Sequence, residues 1–288
     1  MDSTFYTNTI WYILLAVIAL LELIFVMFKT KRRRLTFAFF LIILGITLSL
    51  ETIILIFLKS YKYYPMIIKT SPNPFDDILA GNLFSQFSVS VSVLLVVVLN
   101  LKYYWYFIFA GIYGIIEESF LALGIYSHNW YRTWMTVIMF PLAIWMTKKM
   151  YSKIIRGIKP IFYYAYIILG LFPLNVFTII WGLMVCGYLD FNTTIFHDPT
   201  NSRYFLVLAT FFIPPSVVMM LVYYIRLKLH WKALAIAMLY TLYYTCYRLD
   251  LIWIKEGWFL TISTVTIIWM YLSIVLLDRL YGGLHKKG

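Results

Sequence analysis

The fold class that this chain predicts is all-α, a polytopic transmembrane helix bundle of about nine spans. Two observations predict it. Nine hydrophobic stretches, each long enough or nearly long enough to cross a bilayer, fill the 288 residues, and the short loops between them alternate between rich and poor in Lys and Arg. A span needs about 20 apolar residues at 1.5 Å rise to cover roughly 30 Å of hydrocarbon. With no water there to satisfy backbone groups, only helices or a closed barrel can cross, and the short alternating segments of barrel strands do not appear.

The stretches occupy residues 10–28, 35–58, 78–99, 103–126, 130–147, 161–188, 205–224, 233–254 and 258–277. The first has no basic residue before it and the densest basic cluster after it, so it reads as a retained anchor. The third is unusually polar, with Asn82, Ser85, Gln86, Ser88, Ser90 and Ser92 suited to hydrogen bonding between helices. The fifth is the shortest and carries Pro141. Pro173 lies in the sixth and Pro214 and Pro215 in the seventh, where a membrane helix can kink and its freed carbonyls be met by neighbours. Tyr240, Tyr244 and Tyr247 form a stripe on the eighth, with membrane packing as the first reading and a ligand wall as the second. Tyr61, Tyr63, Tyr64, Trp130, Tyr131, Trp134, Trp253 and Trp258 fall near predicted boundaries and read as interfacial belts.

Charge sets the expected orientation. If Lys29 to Arg34 lie in the cytoplasm, 17 basic residues collect on that side, among them Lys148, Lys149, Lys153, Arg156, Lys286 and Lys287; six, including Arg203, fall on the other. Acids run the other way, with Asp2, Asp76, Asp77, Asp190, Asp198 and Glu256 outside. The N-terminus is therefore expected outside and the C-terminus in the cytoplasm of a cell membrane. The net charge of +12 is then mostly a topogenic signal, and a nucleic-acid partner is not expected. Cys186 and Cys246 are read as free thiols, although a bridge is compatible with their placement.

A repeat shows in short matches. Leu101-Lys102-Tyr103-Tyr104-Trp105 pairs with Leu227-Lys228-Leu229-His230-Trp231, Trp130 with Trp258, and Lys149-Met150-Tyr151 with Arg279-Leu280-Tyr281, at offsets that drift only from 126 to 130. Each offset skips an even number of helices, so the copies would share parallel topology. The expected division is a leading helix and basic turn (1–34), a first four-helix half (35–159) and a second (160–288).

The leading helix, the basic turn, Glu51 late in the second span, Tyr64-Pro65, Phe75-Asp76-Asp77, a Glu in the fourth span, and Trp130 with Trp134 resemble a family of small five-span membrane proteins common in endospore-forming Bacilli and Clostridia. The likeness covers about residues 1 to 156, with the rest a diverged second copy. It implies a bacterial plasma or spore membrane. The family is uncharacterised, so no activity, cofactor or catalytic residue carries over from it.

Ionisable residues inside spans are informative because each costs about 2.5 to 3.5 kcal/mol at a helix centre. Six are expected there: Glu22, Glu51, Glu117, Glu118, Arg248 and Asp250. Glu22 reads as a carboxylate snorkelling toward Lys29 to Arg34. Glu117 and Glu118 lie about 100° apart on one helix and flank a face of small residues where another helix can approach closely. Arg248 lies roughly opposite Asp250 and must find its anion on another helix, with Glu51, Glu117 and Glu118 at comparable depth. These residues form the expected polar cluster, with Asp76, Asp77 and Tyr244 as secondary candidates. A buried ion pair fixing helix register and a water-filled outer cavity for an ion or polar ligand are its two readings.

No HExxH, paired CxxC, P-loop, GxGxxG or GxSxG occurs, so no metal, cofactor or catalytic residue is assigned, and enzymatic activity is not the first expectation. Lone loop histidines such as His128 and His197 read as solvated. Three function classes remain: a membrane-embedded partner or scaffold of the envelope or spore membrane; a transporter, channel or ligand sensor; and an intramembrane lipid-modifying enzyme with Glu117 or Glu118 as general acid or base. Partners follow from these: the bilayer, other membrane proteins, or a small polar ligand or ion.

Overall fold

The structure, a computed structural model, describes residues 4–69 and 73–282. Asp2, Lys286 and Lys287, which enter the charge count, lie outside the described residues. Nine continuous helices run through the described residues: α1 (Phe5–Lys29), α2 (Arg33–Phe57), α3 (Phe75–Val98), α4 (Tyr104–Ala122), α5 (Thr133–Arg156), α6 (Pro160–Met184), α7 (Pro199–Tyr224), α8 (Leu229–Arg248) and α9 (Phe259–Tyr281). Seven of them are long and apolar enough to cross a membrane; α5 and α8 fall short of that mark. The reason lies in composition: α5 ends in Lys148, Lys149, Lys153 and Arg156, and α8 carries His230, Lys232 and Arg248 among its tyrosines. The chain is a predominantly helical, multi-pass membrane protein.

Two short antiparallel sheets join the loops. In the first, β1 (Tyr61–Tyr63) pairs with β2 (Tyr126–His128) in the register Tyr61 to His128 and Tyr63 to Tyr126. In the second, β3 (Leu189–Phe191) pairs with β4 (Ile252–Ile254), Leu189 facing Ile254 and Phe191 facing Ile252. The expected spans 103–126 and 233–254 therefore end early. Gly124 (φ 70°) and Asp250 (φ 53°) take left-handed backbone and stop the helices. Hydropathy carried both spans onward because Tyr126 and Ile252 to Ile254 are as apolar as helix, and a mean over a window does not see the change of period.

Two of the wide helical turns adjoin prolines. In α7 a π-helical turn, Leu208–Phe212, precedes Pro214 and Pro215, and in α6 a π-helical stretch, Val176–Met184, follows Pro173. Each proline removes one backbone donor, and a widened turn redistributes the orphaned carbonyls. A third such turn, Thr52–Phe57, ends α2 directly after Glu51.

The chain divides into two compact units, Met1–Tyr164 with Tyr281–Gly288, and Ala165–Leu280. In the first, α3 is the central helix and packs on α1, α2, α4 and α5. Its polar face is spent on neighbours: Ser90 bonds Thr47 of α2 (3.0 Å), Ser88 bonds Tyr113 of α4 (2.7 Å), and Ser92 donates to Glu22 of α1 (2.8 Å). Glu22 thus turns inward to α3 rather than toward the basic turn, since a hydroxyl donor lies at its own depth. In the second unit Phe211 stacks on Tyr243 (4.6 Å between centroids, 11° between planes) and meets Phe191 edge-on. Cys186 is exposed and Cys246 buried, both as free thiols.

Three backbone hydrogen bonds of the first unit have counterparts in the second. The Ile125 N–H donates to Phe120 O just as Leu251 N–H donates to Cys246 O; Tyr64 N–H donates to Ile125 O as Asn192 N–H does to Leu251 O; and Leu58 N–H donates to Ile53 O as Val185 N–H does to Ile180 O. The paired positions stand 126 to 128 residues apart throughout.

Candidate functional site

Strand alternation builds the site in the first unit. In β1 the side chains of Tyr61 and Tyr63 point inward and are buried, while Lys62 between them is exposed, as a period of two requires. The β1–β2 register sets Tyr126 and His128 opposite them, so four ring side chains share one face. Asp77 holds the loop that follows β1: its carboxylate accepts the N–H groups of Met66 (3.0 Å), Ile67 (2.8 Å) and Ile68 (2.8 Å). Its neighbour Asp76 is fully buried at the first turn of α3. Asp77 thus anchors the loop, Asp76 is buried at the helix end, and neither lines the cavity described next.

Beneath the ring face lies a cavity of about 190 Å³, room for several waters or one small molecule. Glu51 from α2, Ser85 and Gln86 from α3, Tyr113 and Glu117 from α4, and Thr136 and Phe140 from α5 line it, with Tyr61, Tyr63, Tyr126 and Tyr131 closing the strand side. The exposed Met139 and Ala143 form its α5 rim. The cavity lining holds no lysine or arginine.

Both carboxylates are oriented by donors. The Tyr61 hydroxyl donates to Glu51 Oε2, a contact buried on both sides. Glu117 accepts from three groups: Thr136 Oγ1 at 2.5 Å on Oε2, and His128 Nε2 at 2.6 Å and Thr133 Oγ1 at 3.3 Å on Oε1. His128 and Glu117 are about nine-tenths buried. An ionised carboxylate has some four acceptor sites, so one on Glu117 stays open after three are used. The phenols remain neutral donors. Burial, and after it the nearby Glu51 charge, drives Tyr61 and Tyr63 well above the ordinary tyrosine range; burial does the same to Tyr126, and pushes Tyr131 up to about 12.

Of the expected cluster, the structure brings together Glu51 and Glu117 alone. Glu118 is exposed on α4, because a step of 100° turns it away from the face that carries Glu117. Arg248 and Asp250 belong to the second unit. Arg248 is the last residue of α8 and exposed, and Asp250 is exposed in the turn that follows, so neither charge needs a buried partner. Tyr244 is 51% exposed and meets Phe259 at 5.9 Å, an outer packing contact; the buried tyrosine of that helix is Tyr243.

Sequence reasoning missed several residues of the site. Tyr61 and Tyr63 read as belt and His128 as solvated; the signal that could have found them is the alternation Tyr-Lys-Tyr against Tyr-Ser-His, two half-polar triplets in loops of adjoining helices. It also missed Arg203, placed in a loop but 2% exposed in α7, where its Nε donates to Asp190 Oδ1 at 2.7 Å. Among the described residues no group of three His, Cys, Asp or Glu is placed to hold a metal ion. No protein-family model, curated protein or solved structure matches the chain.

Proposed function

We propose that this membrane protein binds a small organic cation in the cavity of its first unit, as a ligand sensor or transporter rather than as a scaffold. The single observation that carries the reading is the lining: two carboxylates, a ring of neutral phenols, and no basic side chain except His128 behind Glu117. The ionisable groups that line the cavity are carboxyls and phenols, which can be neutral or negative and never positive, so its field favours a cation over an anion. Aromatic faces attract an ammonium group by their quadrupole, and the attraction grows when water is excluded. The basic-residue count supports an outward-facing site, since it assigns the ends of α2 and α4 that carry β1 and β2 to the exterior. The likeness of residues 1 to 156 to the five-span Bacilli and Clostridia family supports a bacterial envelope or spore membrane.

The test uses the purified protein in detergent, with tetramethylammonium chloride as the cationic probe and sodium acetate at equal ionic strength as the anionic one. Tetramethylammonium is expected to raise the unfolding midpoint, by about 2.7 kcal/mol of stability at a hundredfold excess over Kd. Acetate is expected to do nothing. Glu117→Gln keeps the shape and the threonine contacts but removes the charge, and should abolish the response. Stabilisation by acetate, or an unchanged response in Glu117→Gln, overturns the reading.

A further inference from the structure

The outer face of α5 changes character along its length. Ile138, Leu142 and Trp145 are exposed, at 56, 44 and 49%, and one helical turn later the same stripe continues as Lys149, Ser152, Lys153 and Arg156, exposed as well. The spacings of three and four residues keep all of these on one side of the helix. The last four, with Trp145 and Lys148, surround a shallow recess of about 510 Å³ into which no acidic side chain projects.

Two of the cations there are already engaged. Lys148 donates to the Leu101 carbonyl at 3.2 Å and sits over the Tyr106 ring, which fixes the flank of α5 against the start of α4. Lys149 lies 3.5 Å above the centre of the Trp145 ring, holding the indole flat beside the recess. Lys153 and Arg156 complete the basic rim.

We propose that this face binds one anionic phospholipid, with its phosphate among Lys149, Ser152, Lys153 and Arg156 and an acyl chain along Leu142 and Ile138. The order along the helix is that of a lipid: apolar side chains, then an indole, whose amphipathic ring favours the headgroup level, then hydrogen-bond donors and positive charge. Trp145 and Lys153 are eight residues apart, about 12 Å at 1.5 Å rise, a length that a lipid can cover from its upper acyl chain at the indole to its phosphate at Lys153 and a free ion cannot. Arg156 offers a planar fork for two phosphate oxygens, and the Ser152 hydroxyl donates a further bond. A charge patch that served only to orient the chain in the membrane would need no serine donor, no held indole and no recess.

Native mass spectrometry of the purified full chain measures it, with phosphatidylglycerol and phosphatidylcholine of equal chain length, and inorganic phosphate as the third probe. The expected result is retention of one phosphatidylglycerol in preference to phosphatidylcholine. Lys153→Gln/Arg156→Gln should cut that preference on the order of thirtyfold, two charges' worth. Lys31→Gln/Arg32→Gln removes the same charge at the α1–α2 turn and should leave it intact. Equal loss in both double variants would mean diffuse charge and overturn the site, as would retention without headgroup preference. Displacement of the lipid by millimolar inorganic phosphate would make this a free-phosphate site and overturn the lipid assignment. None of these outcomes depends on the cavity between Glu51 and Glu117.

Discussion

At the scale of single residues the site rests on one buried contact, the Tyr61 hydroxyl donating to Glu51. A hydrogen bond contributes about 0.5 to 1.5 kcal/mol net, and a buried acceptor left without its donor costs about 1 to 3 kcal/mol. Tyr61→Phe should therefore lower stability in detergent by roughly that amount. Glu51→Gln/Tyr61→Phe should cost less than the two single losses combined, because the second change replaces the stranded carboxyl with a neutral amide. Simple additivity in this cycle, read from thermal unfolding, would mean that the two side chains do not interact. The carboxylates themselves were legible in the sequence, since an acid in an apolar run is costly and so demands a reason. Tyr61 and His128 were not, because a neutral aromatic near a span boundary looks the same whether it meets lipid headgroups or closes a cavity. Arg248 was misread for the opposite reason: a charge placed inside a span by hydropathy sits where the helix actually stops.

At the scale of elements, close approach between α3 and β1 decides whether the ring face lies over the cavity. A Cβ added at Gly81 would come within 2.5 Å of Tyr63 Cβ and 3.2 Å of the Tyr12 ring. Tyr63 Cβ is tied to the strand backbone, so it cannot swing aside. Overpacking of this kind costs about 1 to 3 kcal/mol, against a gain of roughly 1 kcal/mol for replacing a mid-helix glycine. Gly81→Ala should lower the unfolding midpoint and weaken the tetramethylammonium response by displacing β1. Gly170→Ala is the comparison. There the clash, 2.9 Å, falls on Leu277 Cδ2, the free end of a flexible side chain, and the variant should be close to neutral with an unchanged response. A Gly81→Ala protein that binds as wild type would show that β1 can shift without harm to the site. Helix number and order were legible because each hydrophobic run is long. The strands were not: three residues each lie below the reach of any periodicity, and they form only by pairing across more than 60 residues of chain.

At the scale of the whole molecule, the recurring backbone sets like positions side by side in sequence offset, and the side chains at them differ in kind. We propose that the two units are copies of one four-helix element, and that only the first keeps the site. Tyr61, Tyr63, Tyr126 and His128 correspond through the two strand registers to Leu189, Phe191, Ile252 and Ile254. The shared helix-end bonds carry Glu117 onto Tyr243, which is fully buried and stacked on Phe211, and Glu51 onto Thr178, whose hydroxyl donates to its own helix at Leu174 O. Where the first unit has two acids and a ring of phenols over open space, the second has at the like positions aliphatic and aromatic packing and no carboxylate. The offset was legible in the sequence from its Trp and Lys-aromatic matches, whereas the contrast needed the register, because a slip of one residue would exchange buried for exposed positions on every strand. The consequence is a stoichiometry. Isothermal titration of the detergent-purified chain with tetramethylammonium should give one site per chain. Glu117→Gln should remove the whole signal, and Tyr243→Phe, at the like position of the second unit, should leave both stoichiometry and affinity as they were. Two sites per chain, or residual binding in Glu117→Gln that Tyr243→Phe removes, would place a working site in the second unit and sink the division of roles.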